Sequence, residues 1–140
     1  RVCLVQSLDS MHLAQALDAK AQAAGVRMPV LLQVNIGREA QKGGLPPEEA
    51  LPFARECAKL PGLAVRGLMT VLPKADDPET VRPLFRGMRE LFERLQAEAI
   101  AGVDCRELSM GMSHDWRVAA QEGATMIRIG TAIFGERKYH

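Results

Sequence analysis

Five short apolar runs rich in β-branched residues alternate with four stretches of helical periodicity. That alternation predicts an α/β protein: the C-terminal part, about five βα units, of a TIM-type (β/α)8 barrel. Two further observations sharpen it. Residues 30–36, VLLQVNI, are nearly continuously apolar, as a parallel strand covered on both faces requires. Residues 108–113 (LSMGMS) and 126–135 (MIRIGTAIFG) each end an apolar segment with glycine beside a hydroxyl, Gly111 with Ser113 and Gly130 with Thr131. The residues between them suffice for one short helix, so two consecutive parallel strands bring their carboxyl ends side by side, the usual ligand edge of α/β folds. An open doubly wound sheet also fits, but no glycine-rich fingerprint follows the first strand. A whole barrel typically takes about 250 residues. The 140 residues are therefore read as a single domain, 1–140, forming part of a barrel.

In chain order, residues 2–5 read as a short buried strand. Asp9 or Ser10 then caps a helix whose apolar stripe is Leu13, Leu17, Ala21 and Ala24, and Gly25 ends it. In the strand at 30–36, Gln33 and Asn35 share a face with Leu31, the inward face of a small parallel barrel. A polar, glycine-rich loop leads to a helix over 47–59, with a kink or a later true start at Pro52. Residues 63–72 contain the third strand, where Gly67 permits close packing, and 73–83 form a surface loop. Val81, Leu84, Phe85, Met88, Leu91, Phe92, Leu95 and Ala99 fall on one face of the next helix. A strand at 107–110, a short helix at 115–121 closed by Gly123, and a strand at 125–129 complete the order βαβαβαβαβ.

Composition excludes several classes of function. With 47% hydrophobic and 25% charged residues the chain has ordinary globular composition, without a membrane span. Its 18 basic and 17 acidic residues are spread along the chain and leave a net charge of +1, so nothing argues for nucleic acid or a membrane as partner. Cys3, Cys57 and Cys105 are too far apart for a CxxC metal site or a small disulfide framework; they read as reduced thiols of a cytoplasmic protein. The chain begins at Arg1 and runs at once into VCLV, which reads as a piece of a longer protein.

Arg128 is the most informative candidate residue. It stands between Ile127 and Ile129 in a strand read as covered on both faces, where an unpaired guanidinium is costly. Alternation puts it on the face of Met126 and Gly130; an arginine paired with a carboxylate at the sheet edge is the alternative. Ser113 fits either an anion site or a helix N-cap. Thr131 alone says little, since threonine is common at strand ends. Taken together, the two runs suggest an anion cradle for a phosphorylated cofactor, built from backbone N–H groups and hydroxyls. His12 and His140 have no partner at ligand spacing, and His114, next to Ser113, points away from it. Trp116 reads as a packing residue, and Glu48, Glu49, Asp76 and Asp77 as helix-start carboxylates.

The combination of LSMGMS, Asp115, Gly123 and IRIGTAIFG, with QVNI at 33–36, KGG at 42–44 and RGLMT at 66–70, resembles the pyridoxal phosphate homeostasis protein family, relatives of the alanine racemase barrel domain. The resemblance covers nearly the whole chain. It implies a cytoplasmic, monomeric protein that binds pyridoxal 5′-phosphate and acts in vitamin B6 homeostasis as a carrier or buffer, with apo-enzymes as recipients. By the same resemblance Ser113, Gly130 and Thr131 hold the cofactor phosphate and Arg128 faces the pyridine nitrogen, where a cation disfavours protonation. Met69 is placed near the ring, although an apolar core methionine is the plainer reading. The family's cofactor-bonding lysine lies on the first barrel strand. None of Lys20, Lys42, Lys59, Lys74 and Lys138 matches it, so the chain reads as the C-terminal five-eighths of such a protein. Racemase catalysis in the related enzymes needs a tyrosine from a further domain, and the single tyrosine here is Tyr139, next to the last residue. No catalytic residue is therefore expected. The rival readings are a pyridoxal-phosphate-dependent amino-acid racemase and a sugar-phosphate-binding barrel enzyme.

Overall fold

The computed structural model describes residues 4–40 and 43–130. Its elements are β1 (Val5–Leu8), α1 (Met11–Ala23), β2 (Met28–Gln33), α2 (Ala50–Ala58), β3 (Leu63–Met69), α3 (Arg82–Ala97), β4 (Val103–Met112), α4 (Trp116–Gln121) and β5 (Met126–Arg128). Short 3-10 turns at Pro47–Glu49 and Pro78–Val81 precede α2 and α3. Every strand pairs parallel with the next, in the spatial order β1-β2-β3-β4-β5. A doubly wound sheet reverses its strand order at a switch point, and this sheet does not, so the described residues form a half-barrel. Its curvature is visible in one bond: Ser109 Oγ of β4 donates to Gln6 Oε1 of β1 at 2.7 Å although two strands separate them in the sheet.

The outer face of the sheet carries the core. Val30, Leu32, Leu63, Val65, Leu68, Leu108 and Met110 are buried under Phe85, Met88, Leu91, Phe92 and Leu95 of α3 and under Ala50, Ala54 and Cys57 of α2. These α3 residues recur at i, i+3, i+6, i+7 and i+10, the apolar stripe of a helix lying on a sheet. Leu31 and Met69 are as deeply buried but lie outside that cluster, on the inner face, with the fully buried Ser109.

Several boundaries differ from expectation, each for a local reason. The first strand runs Val5–Leu8, because pairing with β2 sets its limits; residues 1–3 are outside the described set. Ser10 is the cap of α1, its Oγ accepting from the Leu13 N–H at 3.2 Å. The buried stripe of α1 is Ala14, Asp18 and Ala21, with Ala24 exposed. Asp18 is drawn inward because its carboxylate accepts from the Gly62 N–H at 2.6 Å and from Gln22 Nε2 at 2.8 Å. The later start expected near Pro52 is found: α2 begins at Ala50 and leaves Pro52 in the first turn, where no intrahelical donor is needed.

The α3 stripe ends earlier than its pattern suggests. The helix stops at Ala97, and Ala99 turns away, exposed, at φ +47°. A residue with a Cβ is disfavoured in this left-handed conformation by roughly 1–2 kcal/mol, and glycine is not. Ala99→Gly is accordingly expected to stabilise the protein by about 0.5–1 kcal/mol, seen as a higher urea midpoint with an unchanged slope. A lower midpoint would show that another interaction holds the turn.

Candidate functional site

The carboxyl ends of β3, β4 and β5 meet where the paired runs lead. Met112 pairs with Arg128, so the residues that follow each strand emerge together. Ser113 Oγ accepts from the Gly130 N–H at 3.1 Å, which joins the two runs directly. Of the two alternatives for Ser113, the helix cap is not the one adopted. Its hydroxyl is turned to the neighbouring strand end, and the N-cap of α4 is Asp115.

Two neighbours shape this edge. Gly111 has φ +101°, and a Cβ there would sit 2.7 Å from Ala119 Cβ, so glycine lets the end of β4 close onto α4. Asp115, 4% exposed, accepts from the Met112 N–H at 2.7 Å and so holds the backbone just before Ser113. Its other oxygen lies 3.3 Å from His114 Nε2, which is not aligned to hydrogen bond with it.

Arg128 turns inward from β5 and reaches past β4. Its Nη2 donates to the Thr70 carbonyl at the end of β3 at 2.5 Å, its only hydrogen bond among the described residues. The Nε is buried with no partner. Burial lowers the pKa of this guanidinium from the ordinary arginine value, and the Asp115 carboxylate acts in the opposite sense. Arginine starts so far above neutrality that the group stays charged. The carboxylate considered from the sequence is present as the buried Asp115, but the group hydrogen-bonded to the guanidinium is a backbone carbonyl.

Met69 is 6% exposed and pairs with Gln33 and Ser109, immediately before Thr70. The structure thus brings Ser113 to Gly130, and Arg128 to the residue following Met69. Thr131 lies outside the described residues, as do Lys42, Lys138, Tyr139 and His140. Gln33 and Asn35 were expected on the inner face. Asn35 instead locks the loop after β2, its side chain bonding both the N–H and the carbonyl of Glu39. Two residues of the site, Thr70 and Asp115, entered the sequence reading only as parts of the runs that carry the resemblance, with no role at the site given to either. The signal for Thr70 was a hydroxyl at the end of the third strand; that for Asp115 was its place just after the LSMGMS run, at the start of a short helix.

Other chemistry finds no footing among the described residues. Burial pushes the Cys57 and Cys105 thiols up to about 12, so neither is a thiolate near neutral pH. Among the described residues no group of three His, Cys, Asp or Glu could hold a metal ion, and no helix is long and apolar enough to cross a membrane. A 560 Å³ hollow beside Ser113 is lined by Asp77, Glu79, His114, Trp116 and Arg117, but lies away from Arg128 and Met69.

A parallel half-barrel with a serine, a backbone N–H and a half-buried arginine gathered at its carboxyl edge belongs to the β/α-barrel class that keeps its site at the strand ends. The chain is a member of the alanine racemase N-terminal domain family, whose model matches residues 2–138. It is 47% identical over 139 residues to the pyridoxal phosphate homeostasis protein of Aquifex aeolicus, spanning 99% of this chain and 60% of that protein. The solved structure of PipY from Synechococcus elongatus with PLP bound superposes with a TM-score of 0.83 at 34% identity, covering 95% of this chain and 61% of that one. Alanine racemase of Clostridium difficile, at 19% identity, shares the fold, with a TM-score of 0.74 over 97% of this chain and 35% of its own. The chain spans between 51% and 60% of the length of the curated relatives it matches.

Proposed function

We propose that this chain forms the phosphate end and the ring-nitrogen side of a pyridoxal 5′-phosphate site, in a cytoplasmic protein that carries or buffers the cofactor for vitamin B6 homeostasis. The observation that carries this reading is the meeting of Ser113 Oγ with the Gly130 N–H at the ends of β4 and β5. A phosphate oxygen placed there would accept from both the hydroxyl and the N–H, with Thr131 next in the chain. The second sign of fit is the orphaned Nε of Arg128, a buried donor that a ring nitrogen would satisfy. Support also comes from PipY, which holds PLP in its solved structure, and from the name of the Aquifex relative. Bound pyridoxal phosphate brings an aldehyde conjugated to an electron-withdrawing ring. Arg128, a fixed cation at the ring nitrogen, opposes that nitrogen's protonation and so weakens the ring as an electron sink. Such a site stores the cofactor rather than driving amino-acid chemistry with it. Met69 supplies an apolar inner wall.

The test is cofactor retention by protein of the relatives' full length, measured by equilibrium dialysis. Ser113→Ala is expected to weaken pyridoxal phosphate binding about tenfold, the loss of one charge-assisted hydrogen bond. Inorganic phosphate should compete less well against the variant's remaining site. Unchanged affinity would move the phosphate elsewhere. Racemisation or transamination of a panel of amino acids at enzymatic rates would overturn the carrier reading. The protein is expected to act as a monomer and to pass the cofactor to apo-enzymes.

A further inference from the structure

Thr70 joins three strand ends of the half-barrel. It is 1% exposed and sits just beyond β3. Its hydroxyl donates to the Val34 carbonyl, following β2, at 2.7 Å. Its N–H donates to the Ser109 carbonyl of β4 at 3.0 Å. Its carbonyl accepts Nη2 of Arg128 from β5 at 2.5 Å. Through Ser109, whose Oγ donates to Gln6, the connection reaches β1 as well. One residue at the end of β3 therefore holds three neighbouring chain segments, and each bond uses a different group of it.

We propose that Thr70 is a positioning residue for Arg128: its hydroxyl and N–H fix the residue in place, and its carbonyl then presents a single acceptor that holds the guanidinium across the barrel interior. The hydroxyl is the part that a side-chain change removes. Without it the Val34 carbonyl loses a donor in a buried setting, a loss that the backbone relieves by shifting. Any such shift moves the Thr70 carbonyl, and Arg128 has no other hydrogen bond among the described residues to keep it there. Asp115, the charged group facing Arg128, attracts the guanidinium but does not fix its direction, because no hydrogen bond joins them. A charge is held loosely; a fork with one anchored nitrogen is held in one orientation. Neither the geometry nor its test depends on a cofactor, but the consequence for the ring nitrogen rests on the reading proposed above.

Two measurements separate the ideas. In the cofactor-free protein, the Arg128 Nε–H resonance in 1H–15N spectra reports the orientation and solvent protection of the guanidinium. Thr70→Val is expected to move this resonance and to speed its exchange with water at least tenfold. Thr70→Ser, which keeps the hydroxyl, is expected to leave it in place. Should the valine protein not fold, Thr70→Ala is compared with Thr70→Ser in the same way. An Arg128 resonance that is identical in Thr70→Val, or that is lost in a folded Thr70→Ser, overturns the positioning role. In the cofactor-loaded protein, Thr70→Val should shift the pH profile of the bound cofactor's absorbance in the direction that Arg128→Ala shifts it. Combining the two substitutions should add nothing, because Thr70 acts through Arg128. If the resonance moves while the pH profile stays fixed, the positioning role stands and the ring-nitrogen assignment of Arg128 falls.

Discussion

Alanine at Gly67 is expected to keep β3 and β4 from pairing, and with them the half-barrel from forming. Gly67 has φ +150° and is paired with Glu107, at a place where the register of the two strands shifts. A Cβ built there lies 1.8 Å from the Glu107 carbonyl oxygen, and the next nearest atoms are also backbone. No rotamer change relieves such a contact, so the strands themselves must separate. Overpacking costs about 1–3 kcal/mol and a strained backbone residue about 1–3 kcal/mol more. That sum is a large share of the 5–15 kcal/mol that typically holds a domain together. Separation at this point also displaces Met69, Thr70 and Ser109, all within three residues of the contact along the chain. Urea unfolding followed by far-UV circular dichroism is the measurement, with Gly37→Ala as the control. A Cβ on Gly37 meets only ordinary contacts at 3.7 Å or more, so its midpoint should stay put. A Gly67→Ala protein with an unaltered midpoint would mean that β3 and β4 do not approach as described.

Replacing Arg128 by alanine is expected to have the largest effect on the bound cofactor. A like charge within about 4–6 Å typically moves a pKa by 1–3 units, and under the proposed function the fixed cation works against protonating the ring nitrogen. Removing it should therefore raise that nitrogen's pKa by about 1–3 units. The absorbance of the bound cofactor then changes with pH at a correspondingly higher pH. Arg128→Lys keeps the charge but not the forked geometry, and should fall between the two. The substitution also leaves the Thr70 carbonyl without its donor and Asp115 without its cation, so some loss of stability accompanies it. A pH profile that stays in place in Arg128→Ala, in protein that still binds the cofactor, would put the ring nitrogen elsewhere.

Much of the architecture was legible in the chain because it follows from local rules. The α3 stripe from Phe85 to Leu95 needs only a period of 3.6 to be read, and the nearly continuous apolar run at residues 30–36 only a strand with both faces covered. The two glycine-and-hydroxyl runs announced that two strand ends would lie together, and Ser113 and Gly130 do touch. Ala99 and Ala24 were misplaced for one shared reason. A repeating pattern does not register where a helix stops, since termination depends on backbone geometry beyond it.

The sequence by itself determined the class of fold, the order of its elements, and which residue types stand at the carboxyl edge: a serine, a glycine and an arginine. Only the tertiary structure decided what each does there. Ser113 could equally have capped α4, and it became a partner of Gly130 because Asp115 took the cap position and turned its carboxylate back to Met112. Arg128 needed a partner, but nothing along the chain named a backbone carbonyl 58 residues away. Thr70 and Ser109 looked like ordinary strand residues until curvature brought β1, β2, β4 and β5 within reach of them. The physical reason is the same throughout. Periodicity records which face a residue occupies, whereas a hydrogen bond between distant strands exists only once the sheet has curved and brought donor and acceptor within 3 Å of one another.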